Sequence, residues 1–327
     1  MSLPFVIAAL SAWRATHCAA IDDAAVGESF DAVVRLSIKA IAGARTAPTL
    51  GAEREGTGVV ISEDGLILTI GYLILEAASV LVVTADGRVF PASVAGFDHA
   101  TGFGLLRAQA GVARRPLALG DSSTVRELHT VSVVTHPAAG GCSRASIVSR
   151  RHFTGWWEYL LDDAIFAAPP RYEHSGAALV DAGGKLVGIG SLWVSDALDI
   201  GAAFPGNMFV PIDLLKPLLD DLVATGRGAG PARPWLGVYS ETVEGHVVVT
   251  RVLPDSPAEL SGLRRGDVIL GVGGQSIGGQ SDFYRKLWGS GEAGTEITLH
   301  VLRNKAIKHF IVHSADRLDY LRRWTVC

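Results

Sequence analysis

Short apolar runs alternate with polar positions along most of this chain, and glycine-bearing turns separate them. Residues 32–41 alternate like a half-buried strand, whereas the stretch up to about Glu55 is polar and irregular and reads as a loop. Residues 56–61, the Asp64-Gly65 turn and residues 66–69 predict strand, tight turn and strand. Residues 80–84 and 89–95 flank Ala85-Asp86-Gly87 as a second hairpin, and residues 104–108 and 130–134 continue the series. A further group of strands is predicted at 145–150, 164–168, 177–180 and 185–191, with a turn over 181–184. Short strands at this spacing predict barrels and not alternating β and α elements.

Residues 214–223 carry apolar side chains at helical spacing. They predict a short helix with Pro217 in its first turn, where a missing N–H costs little. Residues 225–234 are rich in glycine and proline and read as a linker. Beyond it, strands are predicted at 235–239, 246–252, 268–272, 296–303 and 308–313. Short helices are predicted over 257–261 and 281–288, and a terminal helix over 316–324. The expected organisation is an N-terminal segment (1–28), a first folded domain (29–224), a linker (225–234), a second domain (235–316) and a tail (317–327). The fold class is all-β dominated.

Composition narrows the function. The chain has 327 residues, of which 38 are glycine and 19% charged, with a formal net charge of −4 and no block of lysine or arginine, so nothing points to nucleic acid. Cys18, Cys142 and Cys327 form neither a disulfide framework nor a C-x-x-C pair, and the histidines show no H-E-x-x-H spacing. No metal or cofactor is expected. Residues 3–13 are apolar but too short to span a bilayer. They fit either the core of a secretory signal, with small residues at Cys18-Ala19-Ala20, or a loosely docked terminus; no basic residue precedes them and Arg14 interrupts them.

Several motifs, in order, resemble the HtrA family of serine proteases across roughly residues 30–315. Gly56-Thr57-Gly58-Val59-Val60 is similar to the family's G-S-G-V strand, and Asp64-Gly65-Leu66-Ile67-Leu68-Thr69 to the strand that leads to its catalytic histidine. Residues 98–106 (DHATGFGLL) resemble the segment carrying the aspartate, His174-Ser175-Gly176-Ala177 the turn around the nucleophile, and Phe209-Val210-Pro211-Ile212 the family's F-A-I-P. The resemblance implies a trypsin-like double six-stranded β-barrel followed by a PDZ domain.

The departures from the pattern bear on chemistry. Tyr72 stands at the histidine position, Gly102 at the aspartate position, and Glu173 where the family has the glycine two residues before the serine. A serine hydroxyl attacks only when a neighbour of near-neutral pKa takes its proton. A phenol titrates near 10, so Tyr72 donates a hydrogen bond instead. Gly102 has no side chain to orient an imidazole. Losing the histidine alone costs about a million-fold. The oxyanion hole supplies about a thousand-fold, and Glu173 puts that in doubt because its Cβ restricts φ and its carboxylate repels an oxyanion. His174 adjoins Ser175 on a tight turn, where neighbours point apart; His99 and His136 are the other candidate bases. Trp156, Trp157 and Tyr159 lie in a segment that in the family runs towards the specificity pocket, where they either anchor a ligand or pack as core and surface loop.

The last hundred residues resemble a PDZ domain. Trp235-Leu236-Gly237-Val238 is similar to the Y-L-G-V carboxylate-binding loop, and Ser256-Pro257-Ala258, Gly262-Leu263 and residues 265–269 (RGDVI) to the signature that follows it. Backbone amides in such a turn point at a terminal carboxylate while the peptide pairs with the neighbouring strand edge. Phe283 and Leu287, four apart on one helix face, either line the pocket for the peptide's last side chain or belong to the core. The expected function is that of an HtrA-like pseudoprotease binding polypeptide segments or protein C termini as a scaffold, chaperone or regulator. The alternatives are an active endopeptidase using Ser175 with a non-standard base, and a structural subunit of a mixed oligomer. The resemblance also implies a trimer and a periplasmic or membrane-associated location; the residues themselves fix neither.

Overall fold

A computed structural model describes residues 31–322 except positions 114 and 229. The expectations for the N-terminal segment, for Cys18 and Cys327 and for residues 323–324 of the terminal helix fall outside the described residues.

Two closed barrels make up the first compact unit. The first barrel contains β1 (Val33–Ala40), β2 (Glu53–Val60), β3 (Leu66–Ile70), β4 (Ala77–Val83), β5 (Val89–Phe97) and β6 (Phe103–Arg107), closed in the order β1-β2-β3-β6-β5-β4. The second contains β7 (Thr130–Val134), β8 (Cys142–Gly155), β9 (Tyr159–Ala168), β10 (Ala178–Val180), β11 (Leu186–Val194) and β12 (Gly206–Pro211), closed as β10-β11-β12-β9-β8-β7. Period-two alternation builds both cores: β1 buries Val34, Leu36 and Ile38 and turns Lys39 outward, and Val131, Val133, Ile147, Ile165, Leu179 and Phe209 fill the second barrel.

Three local expectations change. The polar stretch before Gly56 is strand from Glu53, because only one of its faces is buried: Glu53 and Glu55 stay exposed while Arg54 points inward. Residues 206–211 pair with β11 and β9 as β12, a strand the alternation does not announce because every position in it is buried. The predicted helix over 214–223 is a 3-10 turn, Ile212–Leu214, followed by a helix at Leu219–Thr225. Pro217 lies between them, where it disfavours helical backbone at the residue before it.

Among the described residues, the second compact unit joins residues 230–322 with residues 152–162, the tip of the β8–β9 hairpin. Its sheet contains β13 (Val238–Val243), β14 (His246–Val252), β15 (Val268–Val272), β16 (Gln275–Ser276), β17 (Glu296–Arg303) and β18 (Ala306–His313), in the order β13-β14-β15-β17-β18 with β16 beside β15. Helices Pro257–Leu260 and Gln280–Trp288 accompany the sheet, and a one-turn helix at Arg317–Tyr320 follows it. The first strand begins at Val238 and not at Trp235. Gly237, at φ +82, turns the chain there, and Trp235 instead bridges to Ala315 and packs against Tyr320.

The contact that most directly positions the serine turn is made by Gly176 against the first barrel. Thr57 N–H donates to the Ser175 carbonyl at 2.9 Å, and Gly176 sits at φ +78 where an added Cβ would lie 1.9 Å from the Thr57 carbonyl and 2.7 Å from Thr69 Oγ1. Gly176→Ala is expected to cost the first unit about 2 kcal/mol or more, read as a lower urea midpoint; an unchanged midpoint would contradict this packing.

Candidate functional site

Tyr72 and Ser175 come from different barrels and meet. Tyr72 lies in the 3-10 turn Gly71–Leu73 after β3, and Ser175 precedes β10. Their hydroxyl oxygens are 2.7 Å apart, and the same Tyr72 oxygen is 2.7 Å from the Ser191 carbonyl. A carbonyl only accepts, so the single phenol proton goes to Ser191 and the Ser175 hydroxyl donates to Tyr72. The serine proton is thus held by a neutral phenol oxygen, which is not a base near neutral pH. Burial pushes the Tyr72 phenol well above its ordinary range, although the bond with Ser175 opposes the shift.

Arg54, which the sequence reading passed over, fixes the tyrosine turn. Its buried guanidinium donates to the carbonyls of Gly51, Tyr72 and Leu75 and to Thr46 Oγ1 at 2.7–3.0 Å. Glu76 ties the same region by accepting from the N–H groups of Arg45 and Thr46 and from Thr46 Oγ1. Gly102 is adjacent through its backbone, since its carbonyl accepts from Gly71 N–H at 2.7 Å, and it sits at φ +84. On the serine side, Arg171 and Asn207 set the approach. Asn207 clamps the Arg171 backbone through both its amide atoms, at 2.6 and 3.0 Å, and the Arg171 side chain donates to Ser143, Thr135 and the Ala139 carbonyl. Glu173 is exposed, has an ordinary negative φ, and lies 3.9 Å from Arg171 Nη2.

The candidate bases do different work. His136 accepts from Ala138 N–H through Nδ1 and donates from Nε2 to the Thr84 carbonyl, so both ring nitrogens serve a loop. His174 donates from Nδ1 to the Arg171 carbonyl at 3.2 Å, and burial lowers its pKa. His99 stands edge-on to Phe97 with ring centroids 4.2 Å apart. Among the described residues, the side-chain partner of Ser175 Oγ is Tyr72.

A second constellation lies wholly within the second unit. The N–H groups of Leu236, Gly237 and Val238 converge on the Glu158 carboxylate at 3.1, 2.7 and 2.9 Å. Trp235 takes no part in this and is a packing residue. Ser240 N–H of β13 donates to the Trp156 carbonyl at 2.9 Å. Tyr284, on helix Gln280–Trp288, donates to the Gly155 carbonyl and accepts from Glu158 N–H. Leu160 belongs to the same apolar cluster as Leu236, Val238, Phe283 and Leu287. Trp156, Trp157 and Tyr159 therefore sit in the second unit: Trp156 stands edge-on to Tyr239 at 4.7 Å and Trp157 stacks on Tyr159 at 5.5 Å. No sequence motif marks Glu158, a lone acidic residue in an aromatic turn; its φ of +57 belongs to the fold alone.

Burial pushes the Glu158 carboxyl up to about 7, while the three N–H bonds and the Arg317 charge draw it down; Tyr284 is the other titratable group against it. A docked carboxyl that holds its proton more tightly than a solvated one stabilises docking fully below the ordinary value of 4.5 and loses that contribution as pH rises through about 7. The melting temperature is thus expected to fall more between pH 5 and pH 8 in the wild type than in Glu158→Gln, measured by calorimetry; parallel pH profiles would contradict the linkage.

Comparison with known proteins agrees with this architecture. Residues 56–189 match the trypsin-like peptidase domain and residues 234–313 the PDZ domain. The chain is 31% identical over 238 residues to the serine endoprotease DegS of Haemophilus influenzae, covering 67% of this chain and 65% of that relative's length. It is 29% identical to the putative serine protease HhoA of Synechocystis sp., covering 78% and 74% of the two chains. Among solved structures, an HtrA-type protease AlgW with a decapeptide matches with a TM-score of 0.55 at 22% identity over 92% of this chain and 98% of that one, a likeness of fold. Two matched domains in this order, on a double barrel followed by a PDZ sheet, make this chain a member of the HtrA family.

Proposed function

We propose that this chain is an HtrA-family pseudoprotease whose retained role is to bind polypeptide. The observation that carries the reading is the bond between the Ser175 hydroxyl and Tyr72, whose own proton is committed to the Ser191 carbonyl. Attack by Ser175 requires its proton to leave as the new C–O bond forms. Passing that proton to Tyr72 would create a protonated phenol, and ionising Tyr72 first runs against a pKa that burial has raised. The aspartate position offers only the Gly102 backbone, so even an imidazole placed at residue 72 would lack an orienting carboxylate. Peptide binding needs none of this chemistry. The converging amides of Leu236, Gly237 and Val238 and the edge of β13 form the kind of site that holds a terminal carboxylate and pairs with an extended peptide.

The test is labelling with a fluorophosphonate probe between pH 6 and 9. The wild type is expected to label within about tenfold of Ser175→Ala at every pH, because neither Ser175 nor Tyr72 ionises in that range. Labelling that rises with pH and disappears in Ser175→Ala would establish the active-endopeptidase alternative. The paired change Tyr72→His with Gly102→Asp is expected to leave casein hydrolysis within about tenfold of the blank. An aspartate there must adopt φ +84, at a cost of about 1 kcal/mol or more, and Glu173 still occupies the glycine position of the oxyanion turn. Robust hydrolysis from these two changes alone would refute the reading of Gly102 and Glu173.

A further inference from the structure

We propose that the peptide groove of the second unit is occupied by the chain's own hairpin tip, with Glu158 in the place of a terminal carboxylate and Leu160 in the place of a terminal apolar side chain. An outside C terminus then enters only by exchange with that tip. The inference rests on the peptide-binding reading above and adds to it a built-in competitor.

Five sets of contacts coincide. All three N–H groups of the carboxylate-binding turn, Leu236, Gly237 and Val238, are spent on Glu158, which is buried. The backbone of the tip extends β13 by one rung, because Ser240 N–H donates to the Trp156 carbonyl; Trp156 lies two residues before Glu158, and Ser240 two residues after Val238. An incoming peptide would add to the sheet along this same edge. The apolar side is occupied as well, since Leu160 is buried in the same apolar cluster as Leu236, Val238, Phe283 and Leu287. From the helix side, Tyr284 bonds both Gly155 and Glu158, and Gln280 donates to Tyr284 at 3.0 Å. Arg317 also donates to the Trp157 carbonyl.

These contacts define a ligand class. The turn offers three donors and no acceptor to the incoming group, which suits a carboxylate. The pocket that receives Leu160 suits an aliphatic last residue. The preferred occupant is a free C terminus ending in a leucine-like side chain, with an extended backbone before it. Its apparent affinity is lowered by the fraction of molecules in which the hairpin is docked.

The experiment uses the full chain and a dye-labelled peptide, Thr-Gly-Trp-Trp-Leu with a free carboxylate. It copies residues 154–157 and merges the Glu158 carboxylate and the Leu160 side chain into one terminal residue. Its binding is followed by fluorescence polarisation, and exchange of the Leu236, Gly237 and Val238 amides by NMR. Glu158→Ala is expected to bind the peptide at least about tenfold more tightly than the wild type and to exchange those amides at least about tenfold faster, with the C-terminally amidated peptide bound by neither. Glu158→Gln, which keeps one acceptor oxygen and the side chain's shape, is expected to fall between them and covers the case in which the alanine variant does not fold. Equal binding to wild type and variants, with unchanged exchange, would overturn self-occupancy and leave peptide binding standing. Faster exchange with no binding by any form would overturn the peptide-binding reading itself.

Discussion

One oxygen atom organises the candidate site. The Tyr72 hydroxyl stands between Ser175 and the Ser191 carbonyl, 2.7 Å from each. Because the carbonyl accepts and cannot donate, the direction of both bonds is set, and the serine proton is directed at a neutral phenol oxygen. The surrounding structure is built to keep this oxygen in place. Arg54 grips the turn that carries Tyr72, Thr57 grips the carbonyl of Ser175, and Arg171 with Asn207 clamps the segment that leads into the serine turn. The two side chains form a closed pair of hydroxyls. The fold remains intact because double-barrel packing depends on alternating apolar strands and on glycine at a few close approaches, not on the catalytic side chains.

The second unit poses the complementary question of what its donors are for. Three backbone N–H groups pointing at one place are costly to bury unsatisfied. In this chain they are satisfied from within, by a glutamate on a turn of the barrel hairpin. Burying that carboxyl raises its pKa to about 7, so the contact is held against a desolvation penalty that a solvated peptide terminus would also have to meet. Occupation of the site by part of the same chain carries no loss of translational freedom, which gives an internal ligand an advantage over an external one of equal contacts.

Much of this architecture was legible in the sequence. Alternation and glycine turns announced most of the barrel strands, and the order of motifs singled out Tyr72, Gly102 and Ser175, of which the structure brings Tyr72 to Ser175 and the Gly102 carbonyl to the turn that carries Tyr72. The pieces that stayed hidden have physical reasons. β12 is buried on both faces and shows no alternation. The polar start of β2 reads as loop because two of its three residues face water. Trp235 resembles a motif residue but is turned away by Gly237. The pairing of Tyr72 with Ser191 depends on a backbone carbonyl, which carries no side-chain signal. Glu158 is the clearest case: a single acidic residue between tryptophan and tyrosine has no spacing to read, and its role exists only when residues 78 or more positions away fold against it.

The central claim concerns where two protons lie, so the most direct measurement is a neutron diffraction structure of the wild-type chain near pH 7. The account predicts one deuteron on Tyr72 Oη directed at the Ser191 carbonyl and one on Ser175 Oγ directed at Tyr72. A Ser175 deuteron aimed at an imidazole nitrogen, or a Ser175 oxygen carrying none, would contradict it.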